Sequence, residues 1–507
     1  MKKDLLIILG ILIIATMLRI IIPMGQTQLI GPDAYYEMRL SETYPNFPET
    51  DYYYNYPDGK ETTSYPKVWA VLLAILKPID KFLPAILGIL CVIPGYIISR
   101  RIFNKDVAIL AGLLIAVMPG QYLIHTQLGS VDHHALETFL MSIMMMFLIL
   151  AVTSQKIKHI FLNLGLYYIT LVVYLYSWSG GKLGIFLLGI ILMALILIKI
   201  RNKYHKVTIF AVVFWVCISA VYITGFNYQT VLSMFIWDLN INIGEMMPLL
   251  FTRGMIDINT LWANFGLTFY ISLIGLGMFI YKLKRTEYII LVYWFVVILA
   301  MTLAQRRYCY YLAPVLAIIS GYVLYQGLFY FKKVMAGKRY TIVAILLVAS
   351  LLSGLIITGV SSTKNSKILL SSDVKQGLEW LKQYSTPEYF TGQKAEYGAA
   401  CWWDFGYYFV YETHIPVMVD PSIFSANTEQ IPLLASEPEK ARQKFIEKSI
   451  RYIFLDKNTV EHKLYAIEEY SGQKGQETFY YRAYYEDLAG FKEIYRNPEV
   501  RILEVIK

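Results

Sequence analysis

The chain has 507 residues, 56% of them hydrophobic and 15% aromatic, with only 16% charged and a mean hydropathy of +0.47. That composition excludes a large soluble enzyme and describes a polytopic membrane protein. The net charge of +9 sits in short basic clusters between apolar runs, which suits loops beside anionic lipid rather than nucleic acid.

The N-terminus, Lys2, Lys3 and Asp4 ahead of an apolar run at 5–22, reads as an uncleaved signal anchor. The run is longer than a typical signal-peptide core and lacks a small-residue cleavage site. Further apolar runs at 83–98, 107–124, 136–152, 160–178, 183–198, 207–223, 261–280, 288–303, 308–330 and 341–360 bring the predicted spans to about eleven. The run at 68–76 is too short to span and ends before Pro78, so it predicts an interfacial or packed helix. Basic clusters at Lys2/Lys3, Arg100/Arg101/Lys105, Lys156/Lys158, Lys199–Lys206, Lys282–Arg285 and Lys332–Arg339 all fall on one side of this arrangement. The positive-inside rule makes that side the cytoplasm. Segments 26–65, 127–134, 227–260 and everything after 360 then lie outside. Arg306 and Arg307 are the main exception to the charge rule.

Residues 1–360 thus form a transmembrane domain whose functional loops are external, and 361–507 a C-terminal extracytoplasmic domain. The latter mixes predicted helices at 374–383 and 438–448 with β-rich runs at 415–419, 451–455 and 500–506, an α/β pattern. The four scattered cysteines, Cys91, Cys217, Cys309 and Cys401, indicate neither a disulfide framework nor a zinc site.

Five clusters carry chemistry. Asp33, in Gly31-Pro32-Asp33, is either a helix cap or a carboxylate placed at the membrane surface for a metal or substrate. Asp132 and His134, in Asp132-His133-His134, are two apart and face the same way if extended. A carboxylate with an imidazole suits Mn²⁺ or Mg²⁺, and a helix cap is the plainer alternative. Glu245, in Asn242-Ile243-Gly244-Glu245, reads alone as a solvated loop acid. Arg306/Arg307 suit an anionic headgroup such as a pyrophosphate, unless a span is misplaced. Trp402-Trp403-Asp404-Phe405-Gly406 offers indole walls with N–H donors, an acceptor for a small hydroxyl, and a glycine for close backbone approach. A buried aromatic turn is its plainer reading. Metal plus arginine suits a phosphate leaving group, and the membrane setting suggests that this group carries a lipid.

On these motifs and their order the chain resembles the catalytic subunit of oligosaccharyltransferase, the Stt3/AglB/PglB family, and most of all its archaeal AglB members. Trp402-Trp403-Asp404-Phe405-Gly406 is similar to the family's WWDYG signature, with Phe405 in place of tyrosine. Asp132-His133-His134 is similar to the archaeal DHH form of the second acidic motif. Asn242-Ile243-Gly244-Glu245 resembles the TIXE-type motif, with Asn242 in place of threonine. Arg307 resembles the arginine that follows that loop.

The resemblance implies a GT-C membrane fold, usually of thirteen spans against the about eleven counted, followed by an extracytoplasmic α/β domain. It also implies transfer of an oligosaccharide from a dolichol- or polyprenyl-linked (pyro)phosphate to the amide of asparagine in Asn-X-Ser/Thr, with inversion. Asp33, Asp132 and His134 would hold Mn²⁺ or Mg²⁺, and Asp33 with Glu245 would engage the acceptor amide. Trp402, Trp403 and Asp404 would hold the Ser/Thr hydroxyl, and Arg307 the lipid phosphate. Asp456, Lys463 and Ile467 resemble a DK-type motif, Ile467 packing on the threonine methyl, although the segment also reads as an ordinary amphipathic helix. The implied partners are the lipid-linked oligosaccharide, acceptor polypeptides and membrane lipid, with the enzyme acting as a single subunit. Two rivals remain. Another lipid-phosphate-dependent GT-C enzyme, such as a protein O-mannosyltransferase, would lack the Trp-Trp-Asp pocket. A transporter would place its acids within spans.

Overall fold

The computed structural model describes residues 2–25, 28–63, 65–178, 235, 245–252, 255–282, 285–335, 337–365, 370–385, 394–421, 436–464, 468 and 474–506. The chain divides into two compact units. One is helical and comprises Met1–Gln28, Pro66–Trp69 and Leu76–Ser366. The other comprises Leu29–Tyr65, Ala70–Ile75 and Lys367–Lys507.

In the helical unit, seven helices among the described residues are long and apolar enough to cross a membrane, or eight if a bent pair counts as one span. They are Asp4–Gly25, Lys77–Ile102, His134–Thr153, Ile157–Ser177, Thr286–Ala304, Arg306–Val334 and Arg339–Lys364. The bent pair, Asn259–Phe265 and Thr268–Ile280, turns by 85° where the sequence reads as one span. The spans expected at 183–198 and 207–223 lie outside the described residues.

The span expected at 107–124 is interrupted. Helix Lys105–Val117 is capped at its start by the Asn104 side chain, which accepts from Val107 N at 3.0 Å. It stops after 13 residues, roughly 20 Å, short of the hydrocarbon thickness. Pro119 cannot donate to the helix ladder. Gly120 then turns the chain at φ 69, and a short helix, Gln121–His125, follows. The orphaned carbonyls at this end meet a buried cation from the first span. Arg19 donates to Ala116 O at 2.7 Å, to Ile115 O at 3.3 Å and to Thr126 Oγ1 at 3.1 Å. It is 0% exposed. Its guanidinium thus supplies the helix end with partners that neither lipid nor the chain's own ladder provides.

The second unit is α/β as expected. Its four-stranded sheet runs in the order Gly398–Ala400, Ile450–Asp456, Val500–Val505, Phe491–Arg496. The first pair is parallel and the others antiparallel, with Ile453 opposite Leu503. The parallel pair requires a crossover, and helix Pro438–Glu447 lies in that connection. Trp402, Phe445, Leu455, Phe479, Tyr480 and Leu503 are buried together in its core. The strand expected at 415–419 reduces to an isolated bridge between Ala399 and Val417. Helix Ser372–Ser385 lengthens the one expected at 374–383.

Residues 29–65 belong to this same unit. Gly31, at φ 84, leads into helix Pro32–Glu42, and strands Thr50–Asp51 and Lys60–Glu61 pair antiparallel. Arg39 grips Asp51 through its two terminal guanidinium nitrogens, Nη2 to Oδ1 at 2.8 Å, and lies 4.2 Å from the Tyr53 ring centroid. Burying a charge is costly unless it is paired or fully hydrogen-bonded, and Asp51 gives Arg39 both.

Candidate active site

In the helical unit, Asp132 sits in a bend and His134 opens helix His134–Thr153. The pair is therefore not extended, as the spacing suggested. His133 enters the helical conformation at φ −61, ψ −16 and makes no capping bond. The carboxylate and imidazole still converge, with Asp132 Oδ2 3.3 Å from His134 Nε2. His134 Nδ1 is engaged by Tyr310 Oη at 3.0 Å, so Nε2 is the nitrogen turned toward the acid. His133 is held between two carboxylates, 2.7 Å from Asp132 Oδ1 and 3.1 Å from Glu137 Oε1. Glu137 is fully buried and accepts from Tyr311, whose hydroxyl in turn receives one from Tyr174 at 2.9 Å.

His125, which no sequence motif marks, joins this cluster. Its imidazole meets that of His134 edge-on at 4.7 Å between centroids. One ligand atom each from His125, Asp132 and His134 lie within 4.8 Å of one another. A carboxylate with two imidazoles is a fitting donor set for a divalent cation. Burial, and then the adjacent His134, pull the His125 imidazole down to about 3, which leaves it in the neutral, ligating form. The available signal was a lone histidine just past a Pro-Gly break at a predicted span end.

Glu245 and Arg307 lie on adjoining backbones. Arg307 N donates to Glu245 O at 2.8 Å, and Arg306 N to Met247 O at 2.9 Å. Both arginines occupy the 3₁₀ turn Arg306–Tyr308 that opens helix Cys309–Val334. Glu245 is exposed. Arg307 Nε is buried without a hydrogen-bond partner among the described residues, while Nη2 donates to Tyr308 Oη at 3.3 Å. Asn242, Ile243 and Gly244 lie outside the described residues.

In the α/β unit, Asp33 stands in the first turn of helix Pro32–Glu42 while Gly31 takes the cap position. The capping alternative for Asp33 is thus replaced by an acid near the helix N-terminus. Close by, Lys60 Nζ lies 4.2 Å from the Tyr36 ring centroid and 3.5 Å from Tyr407 Oη. Burial lowers the Lys60 pKa, against the pull of Asp420, Asp51, Asp33 and Glu37.

The Trp-Trp-Asp segment follows strand Gly398–Ala400 and forms the 3₁₀ turn Trp403–Phe405 ahead of helix Gly406–Thr413. Trp402 is 2% exposed, and its Nε1 has no hydrogen-bond partner among the described residues. Asp404 Oδ1 is likewise buried and without one. The other oxygen, Oδ2, is ion-paired with Lys463. Burial raises the Asp404 pKa and the Lys463 ammonium opposes it. Lys463 follows the six-residue helix Lys457–His462, which Asp456 caps by accepting from Thr459 N at 2.8 Å. Ile467 lies outside the described residues. Phe405 stacks on Phe454 at 5.5 Å in the core, where a hydroxyl has no use. A Cβ on Gly406 would stand 2.6 Å from Val419 O, so the close backbone approach is to the unit's own chain rather than to a bound one.

The family model "Oligosaccharyl transferase STT3, N-terminal" matches residues 28–372. Dolichyl-phosphooligosaccharide-protein glycotransferase 3 of Archaeoglobus fulgidus is 29% identical over 262 residues, 45% of this chain and only 30% of that relative's length. The solved archaeal oligosaccharyltransferase AglB from Archaeoglobus fulgidus, in complex with an inhibitory peptide and a dolichol-phosphate, aligns with a TM-score of 0.76. That alignment has 18% identity and covers 94% of this chain and 71% of that one. Another structure from that organism, tethered to an acceptor peptide containing the NVT sequon, aligns with a TM-score of 0.74 and 19% identity, covering 93% of this chain and 71% of that one. The fold is that of a multi-pass GT-C membrane glycosyltransferase with a C-terminal α/β domain. The chain belongs to the STT3 family of oligosaccharyl transferases.

Proposed function

We propose that this protein transfers an oligosaccharide from a dolichol- or polyprenyl-linked (pyro)phosphate to the side-chain amide of asparagine in Asn-X-Ser/Thr, with inversion at the anomeric carbon. The observation that carries the proposal is a pair of buried polar atoms, Trp402 Nε1 and Asp404 Oδ1, that have no hydrogen-bond partner among the described residues. One is a donor and the other an acceptor, and a serine or threonine hydroxyl is both. Leaving buried polar groups unpaired is costly unless a ligand satisfies them. A residue without the hydroxyl would leave both unpaired, which is how such a pocket discriminates.

The remaining residues take the roles that the resemblance implies. Trp403 completes the pocket wall. Lys463 and Ile467 belong to the acceptor-binding segment, Ile467 packing on the threonine methyl; the ion pair of Lys463 with Asp404 supports an orienting role for that lysine. Asp33 and Glu245 accept from the two amide N–H bonds. That holds the nitrogen lone pair out of conjugation with the carbonyl and beside the anomeric carbon. Arg307 binds the lipid phosphate through charge-assisted hydrogen bonds. Asp132 and His134, with Asp33, hold a divalent cation, Mn²⁺ or Mg²⁺. When bound, that cation offsets negative charge on the departing phosphate.

Residues 361–507 read the acceptor sequence and residues 1–360 bind the lipid donor. The active site and residues 361–507 face the extracytoplasmic side, and a single subunit suffices. The relatives' names and the NVT peptide on one solved relative support the choice of donor and acceptor.

Tryptophan fluorescence tests the acceptor pocket directly. A peptide containing Asn-Val-Thr should bind and shift the emission. The matched Asn-Val-Ala peptide should bind about a hundred-fold more weakly, corresponding to roughly 2–3 kcal/mol of unpaired polar groups. Equal affinity for the two peptides would remove the basis of the proposal.

A further inference from the structure

We propose that His125 is a third metal ligand contributed by the helical unit, so that this unit alone offers a cation two imidazoles and one carboxylate. The inference rests on reading Asp132 and His134 as metal ligands and extends that reading to a residue that no motif marks.

The chain delivers His125 by a specific path. Helix Lys105–Val117 ends, Gly120 reverses the backbone, and the one-turn helix Gln121–His125 carries the imidazole at its last position. The following residues are pinned. Thr126 Oγ1 donates to Tyr122 O at 2.6 Å, and Leu128 N donates to Arg19 O at 2.8 Å. A pinned ligand loses little conformational freedom on binding an ion.

The neighbouring nitrogens narrow the choice of site. The cluster His133, His134 and Glu137 also brings its ligand atoms close together. There, however, both nitrogens of His133 already face carboxylates, and Glu137 accepts from Tyr311. In the His125 cluster, Asp132 Oδ2 and His134 Nε2 face each other at 3.3 Å, and His134 Nδ1 is fixed by Tyr310. Fixing the far nitrogen of a ligating histidine by an outer hydrogen bond is the usual support of a metal site. The ligand atoms lie within 4.8 Å of one another. An ion bonding each at about 2.1 Å would draw them in by only a fraction of an ångström.

Two nitrogens change the metal that fits. Mg²⁺ demands oxygen ligands and dehydrates reluctantly, whereas Mn²⁺ and Zn²⁺ accept imidazole. The site should therefore hold Mn²⁺ against an excess of Mg²⁺.

The test is Mn²⁺ binding to the purified full chain, followed by pulsed electron paramagnetic resonance, which counts directly bound imidazole nitrogens without turnover. The wild type should show two, and His125→Ala one, with its Mn²⁺ dissociation constant raised by at least about ten-fold. His133→Ala should keep both. One nitrogen in the wild type, unchanged in His125→Ala, would overturn the assignment while leaving Asp132 and His134 as ligands. A nitrogen lost in His133→Ala but not in His125→Ala would move the site to the second cluster. Absence of any Mn²⁺ binding would overturn the metal reading of Asp132 and His134, and His125 with it.

Discussion

Lys463 reaches the Oδ2 atom of Asp404 across 59 residues of sequence, and leaves the other carboxylate oxygen of that acid buried and without a partner among the described residues. The ammonium thus orients the acid without consuming the atom that the acceptor hydroxyl needs. Lys463→Met should keep the fold and lose this orientation. Acceptor-peptide affinity should fall by about ten-fold, corresponding to roughly 1–1.5 kcal/mol for a charge-assisted hydrogen bond. Affinity titrations with the Asn-Val-Thr peptide would read it.

Asp404 gives a pH dependence with a defined sign. Burial, opposed by Lys463, sets its folded pKa above the ordinary carboxylate value. The folded chain therefore holds this proton more tightly than the unfolded chain. The associated stability is present at low pH and is lost as pH rises through the folded pKa. Asp404→Asn should match or exceed the wild-type melting temperature at neutral pH, with the difference shrinking as the buffer is acidified. Acceptor affinity of the wild type should fall over the same acidification, while the variant stays weak and flat. Thermal melts and peptide titrations across pH would show both.

Trp402 can be separated into its wall and its donor. Trp402→Phe keeps an aromatic ring in the core beside Tyr480 but removes the indole N–H. Peptide affinity should drop by about five-fold, near 1 kcal/mol, and discrimination between Asn-Val-Thr and Asn-Val-Ala should narrow. A substitution that weakened both peptides equally would place Trp402 in packing alone.

Gly406 is required by its neighbour's backbone. Its Cβ would lie 2.6 Å from Val419 O and 2.9 Å from Asp420 Cα, and neither is the end of a flexible side chain. Gly406→Ala should cost about 1–3 kcal/mol of stability, seen as a lowered melting temperature in detergent.

Arg19 carries the interrupted helix. Arg19→Leu leaves the carbonyls of Ile115 and Ala116 without the donors that the guanidinium supplies. Roughly 2–4 kcal/mol should be lost, again measurable as a lowered melting temperature, with no specific change in peptide discrimination.

Much of this was legible in the chain because long apolar runs and the Trp-Trp-Asp segment carry their physics locally. Helix His134–Thr153 and helix Thr286–Ala304 fall on predicted spans, since twenty apolar residues have few alternatives in lipid. The interruption at Pro119-Gly120 was visible as residues but hidden by the hydropathy of its flanks. Strand Phe491–Arg496 escaped because, at the sheet edge, half of its positions are exposed and the run carries no apolar alternation. His125, Arg19 and Lys60 escaped for another reason. Each acquires its role from residues distant in sequence, and no spacing rule links them.

Transfer itself is the decisive measurement. The purified chain would be given lipid-linked oligosaccharide from its own membranes and a fluorescent Asn-Val-Thr peptide, with Mn²⁺ or with EDTA. Parallel reactions would use Gln-Val-Thr and Asn-Val-Ala peptides. A glycan mass is expected on the Asn-Val-Thr peptide alone, attached to asparagine, and lost with EDTA and in Asp33→Ala. Glycan on the threonine hydroxyl, or no transfer from a donor shown to be active, would contradict the proposed function.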